Sequence, residues 1–312
     1  MHTVFVIVAP IFALIIVGYL CRRTHKLGDK AAAEINKMVV WLCLPALLFK
    51  VTATATWAEI WHPGFIAAFG AGALAMFTVT LLWRLRGGHG LVASSIDGLS
   101  AGYANTGYIG IPLCLLLFGQ PGLQPALISS LIVVCLVFAL SLMLIEIGLQ
   151  DEPEVGRAVR LVLKALAKNP LVVAPLAGAA WAMTGLGLAE PVMHLLDMLV
   201  LATTPCALVS LGAFLAEKQP RAQASPWPLV ALKLIGQPAL TWVLAYKVFH
   251  LPEMWAASAV LLAALPTGTG PFMLAEYYNR DAGLISRTIL WSTVISLLTL
   301  TALLYLWGMR SE

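Results

Sequence analysis

Ten apolar stretches divide this chain, and no other feature restricts its fold as strongly. They run over 3–21, 31–51, 63–83, 92–118, 124–149, 165–184, 190–216, 227–249, 253–278 and 284–308. Most reach the ~20 residues that a helix needs to cross a hydrocarbon core of ~30 Å. In lipid every backbone N–H and C=O must find its partner within the protein, so a crossing segment is a helix or part of a closed barrel. The runs are continuously apolar, without the alternation of barrel strands, which selects helices. Composition agrees. Of 312 residues, 60% are hydrophobic and 11% charged, whereas a soluble domain carries about a quarter charged residues to cover its surface. The expected fold class is an all-α polytopic membrane protein with about ten transmembrane helices.

The charged residues sit between the runs. Arg22, Arg23, Lys26 and Lys30 follow the first, Arg84 and Arg86 the third, and Arg157, Arg160 and Lys164 the fifth; Lys218 and Arg221 follow the seventh, and Arg280 the ninth. Against these twelve, the even-numbered connections offer only Lys50 and Lys247, both at helix ends. Lys and Arg concentrate on the cytoplasmic side, which predicts cytoplasmic odd loops and both termini on the outer, periplasmic face of an inner membrane. Trp57, Trp61, Trp83, Trp227, Trp255 and Trp307 fall near the expected interfaces as a belt. The run 3–21 lacks a basic leader and is followed by a basic loop, so it reads as a span rather than a cleaved signal peptide. The net charge of +4 is spent on topology, and no basic patch with interleaved aromatics suggests nucleic acid.

An odd number of helices per half forces a duplicated half to re-enter the membrane inverted. The expected division is a first five-helix repeat over 1–150, a short cytoplasmic connector over 151–164 and a second repeat over 165–312. Pro10 and Pro175 each stand inside the first run of a half. LPALL (44–48) resembles TPCALVSLG (204–212). The fourth and ninth runs both carry helix-breaking clusters, ANTGYIGIP (104–112) and PTGTGP (266–271). Spacings match as well: Pro45 precedes Ala104 by 59 residues and Pro205 precedes Pro266 by 61. Interrupted helices at equivalent positions of two halves point to a transporter binding site.

The chemistry of such breaks is electrostatic. An unwound stretch leaves half-helix N-termini with free N–H groups and partial positive charge, and two such ends make an anion site without a buried Lys or Arg. Neither break contains a cation. Asn105, Thr106, Gly107, Pro266, Thr267, Gly268 and Thr269 are the expected substrate-binding residues, with Asn36, at the start of the second span, reaching the path. Ala104, Gly110, Pro112, Gly270 and Pro271 are the expected break and hinge positions.

NTGYIGIPL (105–113), LPALLF (44–49), LPTGTGPFMLAEYY (265–278) and KNPLVVAPLAG (168–178) together resemble the auxin efflux carrier family, which includes plant PIN exporters and bacterial malonate and malate permease-like proteins. The resemblance covers the whole chain. It implies that helices 4 and 9 cross at proline-marked breaks where a substrate carboxylate binds. It also implies that helices 1, 2, 6 and 7 form a scaffold that pairs two copies into a homodimer, while helices 3–5 and 8–10 move as an elevator-like transport unit. Pro266 matches the second crossover proline and Asn105 the asparagine beside the first, whose place Ala104 takes. The implied substrates are C3–C4 dicarboxylates such as malonate or malate, with auxin-like aromatic monocarboxylates second. The connector is far shorter than the plant exporters' regulatory loop.

Among ionisable residues inside the runs, Asp97 and Glu276 lie on the broken helices and are the candidate coupling positions for H+ or Na+. His194 and Asp197 share a helix face as an interfacial pair. Lys37, Lys50 and Lys233 read as snorkelling ends, and Glu146 has no evident partner. The five cysteines are scattered at no disulfide or metal-ligand spacing, and no cofactor is implied. No nucleophile elbow, zinc-ligand set or phosphate loop appears, which argues against an enzyme. Two other readings stay open: a non-transporting membrane sensor or assembly protein, and a cation or proton antiporter of related fold.

Overall fold

The computed structural model describes residues 2–56, 61–150, 155–217 and 224–308. Trp57, Lys218, Arg221 and the first four residues of the DEPEVGR connector lie outside them. The fold is all-helical: α1 (His2–Arg23), α2 (Ala31–Thr54), α3 (Pro63–Arg86), α4 (Leu91–Gly102), α5 (Thr106–Phe118), α6 (Gln120–Gly148), α7 (Val155–Lys168), α8 (Pro170–Met183), α9 (Glu190–Leu215), α10 (Trp227–Val248), α11 (Glu253–Ala263), α12 (Gly270–Tyr277) and α13 (Gly283–Gly308). Among the described residues α2, α3, α6, α9, α10 and α13 are each long and apolar enough to cross a membrane unaided. The fourth and ninth runs are broken into α4 with α5 and α11 with α12.

Three of these helices carry a proline two residues past a π turn. Pro45 follows Val39–Cys43, Pro112 follows Thr106–Gly110 and Pro238 follows Leu232–Gly236. Proline lacks the N–H that would bond four residues back, and its ring crowds that carbonyl. A widened turn just before it absorbs the mismatch without ending the helix.

The sequence treats 151–164 as a plain connector, but from Val155 onward it is helical. Arg157, Arg160, Lys164 and Lys168 recur on one face of α7, and Ala158 is buried on another. A new helix then starts at Pro170, because the Asn169 side chain accepts the Leu171 N–H at 2.9 Å as an N-cap. The run expected over 165–184 is therefore divided at Asn169 between α7 and α8, which are bent by 66° to each other.

The chain forms two compact units. The first comprises Met1–His62, Gly107–Leu127 and Lys168–Lys218, and its core is made by close helix approach. A Cβ on Gly212 would collide with the Ile15 carbonyl and one on Gly18 with the Val209 carbonyl, so α1 and α9 meet backbone to backbone. Small residues permit this contact in a medium that gives no hydrophobic drive between helices. The Lys50 ammonium pairs with Asp197, and His194 lies 3.5 Å from Glu190. Lys50 is thus ion-paired rather than a free snorkelling end. Exposed Lys37 bonds Glu34 at 2.8 Å.

The second unit comprises Pro63–Thr106, Ile128–Ala167 and Gln219–Glu312. Here α4 packs on α3 with a Cβ at Gly102 only 2.7 Å from the Ala73 carbonyl, and Ser141 Oγ of α6 donates to the Ser95 carbonyl at 3.1 Å. Three sequence expectations change in this unit. Trp255 is buried with its ring edge-on to Phe65, so it belongs to the core and not to an interfacial belt. Glu146 has a partner, the Tyr278 hydroxyl. Lys233 is fully buried; its ammonium is held inside the unit instead of reaching an interface.

Candidate functional site

The unwound stretches around Ala104 and Thr267 both lie in the second unit, and there they pair. Tyr103, the C-cap of α4, leaves helical geometry at φ −93°, ψ 90°. Beyond it Ala104 and Thr267 form an isolated antiparallel bridge. The Asn105 N–H donates to the Pro266 carbonyl at 2.9 Å, and the Gly268 N–H donates to the Tyr103 carbonyl at 2.9 Å. Helix 4 is therefore interrupted even with an alanine, Ala104, at the break. An alanine suffices because the bridge supplies backbone partners that the helix gives up. Buried backbone groups demand such partners, most strictly in lipid.

Side chains complete the accounting. Thr267 Oγ1 donates to the Ser100 carbonyl at 2.9 Å, filling an acceptor at the end of α4. The Thr267 N–H donates to Ser292 Oγ of α13 at 3.1 Å. Ala104 and Thr267 are wholly buried, Thr106 and Asn105 nearly so. The Thr106 N–H turns back to the Ala104 carbonyl at 2.8 Å, and the Thr269 carbonyl receives the Met273 N–H at 3.1 Å. Thr269 is the N-cap of α12 but gives it no side-chain cap, and Pro271 occupies the first turn. The α12 N-terminus thus carries the partial positive charge of its first-turn dipoles.

Gly268 and Gly270 have a role that composition alone does not disclose. Neither has positive φ. A Cβ at Gly268 would stand 2.9 Å from the Tyr103 ring, and one at Gly270 would stand 2.7 Å from its Cζ. The glycines seat an aromatic ring; they are not there for backbone freedom.

The structure thus brings Ala104, Asn105 and Thr106 together with Pro266, Thr267, Gly268, Thr269 and Gly270 in one unit. Gly107, Gly110 and Pro112 belong to the first unit, as does Asn36, whose Oδ1 accepts a hydrogen bond from the Tyr108 hydroxyl. Space remains at Gly107, where the nearest atom to a Cβ is Leu44 Cδ1 at 3.7 Å. Asp97 is 3% exposed and receives Arg84 Nε at 2.6 Å; the pair borders a cavity of about 290 Å³ lined also by His89, Arg280 and Asp281. Glu276 is exposed in the last turn of α12. Among the described residues no group of three or more His, Cys, Asp or Glu is placed to hold a metal ion.

Tyr103, Ser100, Ser292 and Lys233 belong to this region, and the sequence does not single them out as site residues. For Ser292 a trace exists: Thr288, Ser292 and Ser296 recur every fourth residue on an otherwise apolar helix, and all three are buried. Such a polar stripe on a spanning helix faces protein rather than lipid.

Residues 3–304 match the family described as membrane transport protein. A protein of Rhizobium meliloti (strain 1021) named "Putative malonate transporter" is 30% identical over 305 residues, covering 96% of this chain and 94% of its own. An "Uncharacterized transporter" of Methanothermobacter thermautotrophicus is 27% identical over 304 residues, 94% and 95% of the two chains. "Auxin efflux carrier component 8" of Arabidopsis thaliana is 26% identical over 351 residues, 95% of each.

Proposed function

We propose that this chain, which belongs to the membrane transport protein family together with the auxin efflux carriers, moves small carboxylates across the membrane by alternating access. Family membership makes it an integral membrane transporter rather than an enzyme. The substrate, the site and the mechanism are our reading. The observation that carries it is the bridge between Ala104 and Thr267, which joins the two breaks at equivalent positions of the two halves. Interrupted helices meeting in this way serve anion recognition in inverted-repeat carriers.

In this reading the ten spans are two inverted five-helix repeats in an inner membrane, with both termini outside. The carboxylate lies at the crossing of the two broken helices, where the first-turn N–H groups of α12 and the side chains of Asn105, Thr106 and Thr269 receive it. Backbone dipoles suit the task because a full charge at the bilayer centre costs several kcal/mol. The second compact unit is the moving body and the first the scaffold, which pairs two copies. The division of α1, α2, α8 and α9 from α3, α4 and α10–α13 supports this assignment.

The favoured substrate is a C3–C4 dicarboxylate, supported by the malonate name of the Rhizobium relative. The Arabidopsis relatives support an aromatic monocarboxylate as the second reading. The test is uptake of labelled malonate, malate and indole-3-acetate into proteoliposomes. We expect saturable malonate uptake in the wild type and its loss in Asn105→Ala and Pro266→Ala proteins that still elute as folded species. Wild-type flux in either variant overturns the site.

A further inference from the structure

Lys233 is a buried lysine in the second unit that no ion pair reaches among the described residues. It stands in the π turn Leu232–Gly236 of α10, six residues from the start of that helix, so about 9 Å along it. Its residue exposure is 0%, and its Nζ donates to the Ala263 carbonyl at 2.7 Å. Ala263 is the last residue of α11 and lies three residues before Pro266, so this lysine holds the carbonyl end of the half-helix that leads into the break.

The elements packed against this turn are α3, α4, α13 and, through Ala263, α11. Their ionisable groups are Arg84 and Arg86 on α3, Asp97 on α4, Glu253 on α11, and Arg287 and Tyr305 on α13; Tyr246 and Lys247 share α10 itself. Arg84 and Asp97 bond each other, and Glu253 accepts from the Tyr246 hydroxyl at 3.0 Å. A fixed ammonium would therefore sit in the interior without a counter-ion, which is strongly unfavourable. A neutral amine keeps the bond to Ala263, since it still carries N–H donors. One face of α10 continues the polar line. Gln237 and Thr241, one and two turns along, are wholly buried, and among the described residues neither the Gln237 amide nor the Thr241 hydroxyl has a hydrogen-bond partner. These neutral dipoles, with the negative end of α11, offset part of the cost of an ammonium. Both protonation states are thus accommodated at one position.

We propose that Lys233 is the coupling-proton site of this carrier, taking up one proton when carboxylate is loaded and releasing it on the other side. The step is simple acid–base chemistry: the amine lone pair takes a proton from hydronium, leaving water, and the ammonium returns it on the opposite face. The bound carboxylate and the ammonium then cross as a pair of opposite charges. The N–H contact to Ala263 carries the charge change to the peptide chain that enters the Pro266 break. Lys233 does not touch the substrate in this account; it acts through α11 as a positioning and proton-binding residue.

The inference rests on the carrier reading, and the experiment separates the two. Labelled malonate accumulation is measured in proteoliposomes with and without an imposed pH gradient, beside malonate-dependent thermal stabilisation in detergent. One coupled proton changes the accumulation ratio about tenfold per pH unit. We expect that dependence in the wild type, and its loss in both Lys233→Gln, fixed neutral, and Lys233→Arg, fixed cationic, with malonate stabilisation retained in both. A lysine serving only as a helix cap predicts lower stability in Lys233→Gln with the gradient dependence intact, and that result overturns the proposal. So does wild-type accumulation that ignores the gradient, whether or not the variants fold. Absence of malonate uptake and of malonate stabilisation in the wild type overturns the carrier reading instead.

Discussion

The ring of Tyr103 fills the space in which a side chain at Gly270 would begin, its Cζ 2.7 Å from where that Cβ would stand. One residue comes from the end of α4 and the other opens α12, so this contact limits how closely the two elements approach. Gly270→Ala forces the ring or the backbone to move. Overpacking of this kind costs about 1–3 kcal/mol. Thermal unfolding in detergent should show that loss for Gly270→Ala and a smaller one for the Tyr103→Leu/Gly270→Ala double variant. An additive pair of losses, with no recovery in the double-mutant cycle, would mean that the ring is not what excludes the side chain.

Thr267 joins three elements through two bonds, to the Ser100 carbonyl and from its own N–H to Ser292 Oγ. Replacing it by valine keeps the shape and removes only the hydroxyl. Interhelical hydrogen bonds in membrane proteins contribute about 0.6 kcal/mol on average and up to about 1.7. The buried Ser100 carbonyl loses a partner as well, so the upper figure applies. Thr267→Val should lower the unfolding free energy by about 1–2 kcal/mol, while Thr267→Ser should stay close to wild type. Equal behaviour of the two variants would place the value of Thr267 in its shape rather than its hydroxyl.

Much of this is legible in the sequence, and the reason is lipid. A ~20-residue apolar run in a bilayer has few alternatives to a helix, so each of the six helices long and apolar enough to cross unaided corresponds to a run that composition marks. The breaks are legible because Gly and Pro clusters free backbone groups that lipid cannot satisfy, and one such cluster stands in each of the two interrupted runs. Pairing is another matter. Nothing in PTGTGP states that Thr267 bridges Ala104, or that Gly268 and Gly270 yield to an aromatic ring from the opposite half of the chain. Lys233 reads wrongly from sequence because a lysine near the start of a span normally snorkels. Only the packing of α10 on α11 shows its ammonium turned inward to Ala263. Trp255 is ambiguous for the same reason: an indole near a helix end suits an interface or a core, and Phe65 decides which.

Arg84 and Asp97 form the most buried ion pair among the described residues of the second unit, with side chains 13% and 5% exposed. Removing one partner leaves the other charge uncompensated, which costs about 3–5 kcal/mol in buried pairs. Arg84→Gln and Asp97→Asn should each be strongly destabilising, and the double variant less so than either. This pairing also tests Asp97 as a coupling position. If Asp97 carries the coupling ion, Asp97→Asn proteoliposomes lose gradient-driven uptake even after stability is restored in the Arg84→Gln background. If the pair is structural, the double variant keeps that uptake.

In the first unit, the hydroxyl of Tyr108 donates to Asn36 Oδ1. An amide oriented by a bond to its oxygen has its NH2 group, with two donors, directed to the other side. That is the half of an asparagine suited to a carboxylate. Tyr108→Phe removes the donor and lets the amide turn either way, at a cost near the ~1 kcal/mol of an ordinary hydrogen bond. Where Asn36 contributes to carboxylate binding, the expected effect is a rise of about fivefold in KM for malonate with kcat nearly unchanged, since uniform binding is what is lost. Asn36→Ala should raise KM by at least as much, and adding Tyr108→Phe to it should change little further. Uptake measured across a malonate concentration series separates the cases. A KM that stays at the wild-type value in both single variants would place Asn36 off the substrate path and leave its bond to Tyr108 as a tie between α2 and α5.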